Sequence, residues 1–390
     1  MLEALALAAR PARRPWPNPP VGAVVARRGV IVGRGAHHGA GTPHAEAVAL
    51  ADAGDRARGA TLYCTLEPCN HEGRMPPCTP AVVAAGVARL VVAIRDPNPR
   101  VAGGGIETAR CSGIQVEVGL CAEEALELVW PFVVTRAFER PFVWLKTAVS
   151  LDGRFAPSGM APGTGPVYLT GEDARRQTHV LRRWCDVVLV GARTASLDRP
   201  RLDGRLAALD AACPPQDPIP AVMSTRLTEL PPWHGRPHLA FVGAAAPAAA
   251  AEAIAGAGGT VITCGSNHAG VDPASVVASL ARLEKHSLLV EGGPSTAAAF
   301  LAAGLVDRWI HYIAPVVVGP GVGWPEWEPA RVGGQRRPED AFTLTTATRC
   351  GGDAVTVWDR VPFAATCARL AARDARGAVD APGVGAPGRA

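Results

Sequence analysis

Pro43-His44-Ala45-Glu46, taken with Thr65-Leu66-Glu67-Pro68-Cys69-Asn70-His71-Glu72-Gly73-Arg74-Met75-Pro76-Pro77-Cys78, decides how the first third of this chain reads. One imidazole and two thiolates are a common ligand set for zinc, and three protein ligands leave the fourth tetrahedral position open to water. His44, Cys69 and Cys78 supply that set. Zinc lowers the pKa of its water toward neutrality, which makes a nucleophile for an amine-bearing ring carbon available at physiological pH. The attack still needs a proton shuttle. Glu46, two residues beyond His44, is the right chemical type to carry a proton to a ring nitrogen and to departing ammonia. H-x-E followed by P-C-x-x-C is the signature of zinc deaminases; here the first half is kept and a longer loop, Asn70 to Pro77, separates the cysteines. A structural zinc site would close with a fourth protein ligand, for which His71 is near enough in sequence, and would have no use for Glu46.

Working outward, Val21 to Val25, Thr61 to Thr65 and Arg89 to Ile94 read as short buried strands, and His44 to Ala53 and Pro80 to Ala85 as helices. That alternation predicts an α/β layer architecture. Pro43 and Pro68 each precede a ligand, so the ligands are expected near helix N-termini, where the dipole favours thiolate. Leu2 to Arg10 reads as an amphipathic first helix; with Glu3 and no basic leader region it does not read as a signal peptide.

At 390 residues with 48% hydrophobic content, the chain has the length for two cores. A formal charge of +4 without a dense basic block speaks against nucleic acid and for a small-molecule partner. Ten cysteines in a chain this long do not make a disulfide scaffold; with two committed to metal they suggest a reducing, cytoplasmic compartment. The other eight are assigned no chemistry. The alanine-rich stretch Ala244 to Ala257 holds Pro247 and Glu252 and is too short to cross a bilayer. From about Ala371 the composition predicts a disordered tail.

A boundary is expected near Arg140-Pro141, where a helical run ending at Phe138-Glu139 meets the strand-like Phe142-Val143-Trp144-Leu145-Lys146. Beyond it Asp186 to Gly191, Ala221 to Ser224, His238 to Val242, Thr260 to Cys264 and Ser287 to Glu291 read as successive strands of a second α/β unit. In Leu288-Leu-Val-Glu291-Gly-Gly-Pro-Ser295-Thr296 a strand runs into a glycine turn and a helix start, whose free N–H groups suit a dinucleotide phosphate. An ordinary strand-turn-helix connection has the same look.

With these residues in view, the chain from about Leu5 to about Val361 resembles the bifunctional deaminase/reductase family of riboflavin biosynthesis. The long-loop zinc motif Thr65 to Cys78, Asn18-Pro-Pro-Val-Gly22, Asp96-Pro-Asn98-Pro and Val101-Ala-Gly-Gly-Gly105 carry the likeness in the first half. Lys146, Ser150-Leu-Asp152-Gly153, Leu169-Thr170-Gly171, Val190-Gly191-Ala-Arg-Thr194, Asp198-Arg-Pro200-Arg-Leu202 with Arg205, and Val290-Glu291-Gly292-Gly293-Pro294 carry it in the second. The resemblance implies a cytidine-deaminase-like three-layer domain over 1–140 and a dihydrofolate-reductase-like domain over 141–362. It implies Zn2+ and NADPH as cofactors and a pyrimidine ribosyl phosphate as substrate. Asn18, His37, Asp96 and Asn98 would line the pyrimidine and phosphate pocket. Arg182, Leu202, Arg205 and Glu291 would hold the phosphoribosyl group. Val149, Tyr168, Thr194, Asp198, Gly293, Pro294, Ser295 and Thr296 would meet the cofactor, with Lys146 and Asp198 closest to proton transfer. A homo-oligomer is expected, since deaminase cores of this kind assemble through their helices.

The second half also departs from that family. Pro166 and Tyr168 stand where it usually has serine and tryptophan, Arg199 replaces the second of two aspartates, and Ser224 replaces an Asp at a strand end, leaving Thr225 to serve there. Three readings follow: a bifunctional deaminase and reductase, a deaminase with a degenerate second half, and a non-catalytic zinc-stabilised binding module.

Overall fold

The computed structural model describes residues 1–9, 18–72, 75–98, 101, 104–159, 167–205, 217–226, 233, 235–267, 270–326, 331–332, 335–336, 341–361 and 366. Pro166 and the tail expected from Ala371 lie outside them. The chain divides into two compact units, Asn18–Val129 with the N-terminal helix, and Trp130–Thr366.

The first unit contains α1 (Leu2–Ala9), β1 (Gly22–Arg27), β2 (Val30–Ala36), α2 (Ala45–Ala53), β3 (Thr61–Leu66), α3 (Cys78–Ala84), β4 (Arg89–Ile94), α4 (Gly104–Cys111) and β5 (Gln115–Val118). Its sheet runs β2-β1-β3-β4-β5, with β1 antiparallel to both neighbours and β3, β4 and β5 mutually parallel. Val24, Val25, Leu62, Leu90 and Val91 are buried in it, as unbroken apolar runs on a covered sheet should be. The absent side chain of Gly35 sets where α2 lies. A Cβ there would stand 2.0 Å from the carbonyl oxygen of Ala45, so only glycine lets the helix start come down on β2.

Helix α5 (Ala122–Phe138) leads to the second unit. There β6 (Phe142–Ser150), β7 (Ala156–Pro157), α6 (Glu172–Trp184), β8 (Val187–Gly191), α7 (Ala192–Asp198), β9 (Ile219–Ser224), β10 (His238–Val242), α8 (Ala248–Gly256) and β11 (Gly259–Thr263) come first. They are followed by β12 (Ser266–Asn267), β13 (Gly270–Val271), α9 (Pro273–Arg282), β14 (Ser287–Val290), α10 (Pro294–Ala302) and β15 (Arg308–Ala314). The short β16 (Gly321–Val322), β17 (Arg331–Val332) and β18 (Gln335–Arg336) precede the long hairpin β19 (Phe342–Cys350) and β20 (Asp353–Arg360). The main sheet runs β11-β10-β9-β8-β14-β6-β15-β20-β19. It is parallel from β11 to β15 and antiparallel from there to β19. Every strand expected in this half is present. The antiparallel end was not read from the sequence, because β19 is exposed along most of its length and carries threonine where a buried strand carries valine or leucine. Leu145, Leu189, Phe241, Leu288, Val290 and Phe300 form the core. Parallel strands aligned this way bring the ends of β8, β9 and β14 to one edge, the edge at which open α/β sheets take their ligands.

Candidate metal centre and reductase cavity

In the first unit His44, Cys69 and Cys78 converge: their ligand atoms all lie within 4.8 Å of one another. His44 Nδ1 is 3.2 Å from Cys78 Sγ and 3.4 Å from Cys69 Sγ. Those separations fit one tetrahedral zinc ion, whose bonds to nitrogen and sulfur of about 2.0 and 2.3 Å place ligand atoms about that far apart. Among the described residues the cluster has three donors, His71 standing outside it, and three is the number an open zinc site uses.

Local structure explains the convergence. His44 is the N-cap of α2, as expected, and Cys78 is the first residue of α3, which starts two residues before the expected Pro80. Cys69 differs: it lies in the loop after β3 rather than on a helix, and its sulfur accepts the Cys78 backbone N–H at 3.3 Å. A helix terminus still serves it, supplied by α3 across the loop. Hydrogen bonds from the Cys78 thiol, His44 and that N–H pull the Cys69 thiol down to about 4. Glu46, in the first turn of α2, is buried, and burial raises its carboxyl to about 7.

Beside the cluster, His37 and His44 meet edge to face with ring centroids 5.2 Å apart. His37 Nδ1 lies 3.1 Å from the Pro43 carbonyl and its Nε2 3.0 Å from Asn18 Nδ2. A ring that donates to the carbonyl and accepts from the amide is neutral, in keeping with the lowering of its pKa by burial. Asp96 and Asn98 form an Asx turn in which the Asn98 N–H donates to the Asp96 carboxylate at 2.8 Å. Sequence reasoning missed Glu67. Its buried carboxylate accepts the backbone N–H groups of Asp96, Gly105 and Ile106, so it ties the Asp96 turn and the start of α4 to the loop of Cys69. A glutamate fixed between a buried strand and a Pro-Cys step was the available signal.

In the second unit a cavity of about 500 Å³ opens at the strand ends. Lys146, Thr194, Asp198, Glu291, Gly293, Pro294, Ser295 and Thr296 line it together with Ser224 and Thr225. Gly191 and Gly292 give it depth. A Cβ on Gly191 would stand 2.5 Å from Thr296 Oγ1, and one on Gly292 2.5 Å from Thr296 Cβ. Gly293 is the N-cap of α10, and the amides of that first turn have no partner within the helix. A bare glycine floor facing a helix start fits a dinucleotide pyrophosphate.

The remaining expected residues fall into two groups. Arg182 pairs with Glu291, and Asp203 gathers Arg201 and Arg205 around Leu202, which is buried with a left-handed φ of 50°. Val149 is buried within β6 and Tyr168 is exposed beneath the Arg175 guanidinium; neither is among the described residues lining the cavity. Inside the cavity burial lowers the pKa of Lys146 and raises that of Asp198. Both groups are thereby moved toward neutrality.

The two sites define a zinc-dependent deaminase joined to a dinucleotide-dependent reductase. Residues 1–94 match the cytidine and deoxycytidylate deaminase zinc-binding region, and residues 141–355 match the RibD C-terminal domain. The chain is 40% identical to the riboflavin biosynthesis protein RibD of Aquifex aeolicus, over 82% of this chain and 87% of that one. It is 40% identical to RibD of Escherichia coli K12, over 82% and 88%. Among solved structures, Acinetobacter baumannii RibD matches with a TM-score of 0.74 at 30% identity, covering 92% of this chain and 97% of that one. The chain belongs to the RibD family, the deaminase/reductases of riboflavin biosynthesis, with Zn2+ and NADPH as cofactors.

Proposed function

We propose that the first unit hydrolytically deaminates 2,5-diamino-6-(ribosylamino)pyrimidinone 5'-phosphate and that the second reduces the ribosyl group of the product to ribityl. A Thermotoga maritima structure named as that deaminase and 5-amino-6-(5-phosphoribosylamino)uracil reductase is 28% identical to this chain, with a TM-score of 0.73. The observation that carries the reading is the convergence of His44, Cys69 and Cys78 beside the buried Glu46.

His44, Cys69 and Cys78 would hold the zinc ion, which when bound would supply an acidified water. Glu46 takes up the proton and passes it to the ring nitrogen and then to the leaving amine, so that water and C–NH2 become C=O and ammonia. A carboxyl raised to about 7 is poised to move in both directions. Asn18 and His37 present fixed polar groups to the pyrimidine, and Asp96 and Asn98 complete that pocket.

In the reductase, NADPH would be held by Thr194 and the turn from Gly293 to Thr296 and, when bound, would supply the hydride. Lys146 and Asp198 manage the protons: the ribosylamine opens as its N–H proton is removed and the ring oxygen is protonated with cleavage of the C1–O bond, giving HC=N, and a hydride at C1 with a proton to nitrogen then gives CH2–NH. Arg182, Leu202, Arg205 and Glu291 hold the phosphoribosyl group. A cavity lined by Lys146, Thr194, Asp198 and the Gly292-Gly293 turn supports a working reductase over a degenerate one. We assign the deaminase to 1–140 and the reductase to 141–362, in a homo-oligomer without nucleic acid in a reducing cytoplasm. The free cysteines support that compartment, and no described helix is long and apolar enough to cross a membrane.

The test is the zinc-loaded protein with the diaminopyrimidinone ribosyl phosphate, following deamination by absorbance and NADPH oxidation in the same cuvette. Deamination followed by oxidation of stoichiometric NADPH is expected. Deamination without NADPH oxidation would remove the reductase assignment.

A further inference from the structure

The backbone that carries Leu202 and Arg205 is strained and held from outside. Arg199 and Leu202, neither of them glycine, have left-handed φ values of 42° and 50°, and Leu202 is buried. Such a conformation costs free energy at each residue and persists only where neighbouring groups impose it. Those groups stand just before β10. Trp233 is buried, and its Nε1–H donates to the Pro200 carbonyl at 2.7 Å. Arg236 spreads its guanidinium over three more carbonyls: one Nη donates to Arg201 at 2.6 Å, the other to Pro218 at 2.6 Å and, at 3.5 Å, to Leu202. Pro218 leads into β9, so one planar group joins the loop to the sheet. Both anchors are fixed in turn. The Arg236 N–H donates to the Trp233 carbonyl at 3.1 Å, and Nδ1 of the buried His238 donates to the Arg236 carbonyl at 2.8 Å. The Trp233 and His238 rings meet edge to face with centroids 5.9 Å apart. From the other side Arg182 donates to the Asp203 carbonyl at 3.2 Å, and Arg205 pairs with the Asp203 carboxylate.

We propose that Arg236, with Trp233, is a positioning residue for the reductase substrate: the fork holds the 199–205 backbone in its left-handed form before substrate arrives, so that Leu202 and Arg205 stand ready for the phosphoribosyl group. Neither Arg236 nor Trp233 is among the described residues lining the cofactor cavity, so NADPH binding does not depend on them. Substrate affinity falls with the fraction of protein in the binding-competent form, whereas turnover of substrate already bound does not. Loosening the loop therefore raises KM and spares kcat. Lysine cannot stand in for the fork, because its compact ammonium keeps the charge without the planar array that reaches carbonyls on both sides.

The proposal rests on the reading of Leu202 and Arg205 as the residues that hold the phosphoribosyl group, and the test separates the two. Arg236→Lys keeps the charge and removes the fork; Trp233→Phe keeps the ring and removes the N–H; Arg205→Ala examines the loop itself. The assay uses the full-length, zinc-loaded protein with the deaminated ribosyl phosphate as substrate. KM is expected to rise about tenfold in Arg236→Lys and about threefold in Trp233→Phe, with kcat and NADPH affinity, read by cofactor fluorescence, within about twofold of the parent. A parent-like KM in either variant, a fall in kcat of about tenfold in both, or loss of NADPH binding in both would overturn the proposal. Where one variant alone fails to bind NADPH, the KM of the other decides: raised supports the fork, parent-like overturns it. A parent-like KM in Arg205→Ala would remove the reading of the loop, and the role of Arg236 with it.

Discussion

Arg182 forks onto Glu291, with Nε 2.6 Å from one carboxylate oxygen and an Nη nitrogen 2.8 Å from the other. Both side chains are largely buried, and Glu291 stands directly before the Gly292-Gly293 turn. The contact therefore fixes helix α6 to the cofactor edge of the sheet. Removing one partner of a buried pair strands the other charge at a cost of about 3–5 kcal/mol. Glu291→Gln is expected to lower the melting temperature of the reductase unit and abolish its activity while deamination continues. Calorimetry with both activity assays checks this; an unchanged melting temperature would count against the pair.

Under the proposed mechanism Glu46 carries the proton and does not bind the metal, so its loss should separate metal content from turnover. In Glu46→Gln zinc stoichiometry by elemental analysis should stay at the parent value while deamination falls about 10²- to 10⁴-fold. Cys69→Ser should instead lose zinc and deamination together and leave NADPH oxidation, supplied with deaminated substrate, intact. Loss of zinc in Glu46→Gln would contradict the assigned roles.

The glycine floor makes a steric prediction. A methyl on Gly292 would meet Thr296 Cβ at 2.5 Å, and overpacking of this kind costs about 1–3 kcal/mol. Gly292→Ala is expected to weaken NADPH binding about tenfold, read by fluorescence titration, with deamination unaffected. Parent-like affinity would show that the cofactor does not approach this turn.

Three imidazoles set an acid limit. Burial is the largest cause holding His179, His286 and His311 below the ordinary value of 6.5. Folded, they stay neutral while the unfolded chain takes up protons, so the stability tied to them is full above about pH 6.5 and is lost as the pH falls below it. The melting temperature should decline from about pH 7 to about pH 5, before most carboxylates titrate. A flat profile over that interval would show that these rings charge without penalty.

The convergence of His44, Cys69 and Cys78 was legible in the chain itself, because metal chemistry demands particular atoms: one imidazole, two sulfurs and a nearby carboxylate narrow the possibilities before any fold is known. The parallel strands were legible too, since a strand covered on both faces must be apolar throughout, as Leu288 to Val290 are. Spacing alone did not show that Cys69 takes its helix N–H from α3 rather than from a helix of its own. The polar strand β19 and the buried charges of Glu67, Asp203 and Asp353 were also invisible, because an isolated acidic residue in sequence reads as solvated surface. What made them structural was the tertiary fold, which removed water from each carboxylate and set backbone N–H groups or guanidinium groups in its place. Sequence determined which chemistry the atoms can perform; the packing of distant strands and helices decided which charges are buried, what each is paired with, and therefore where every reactive group stands.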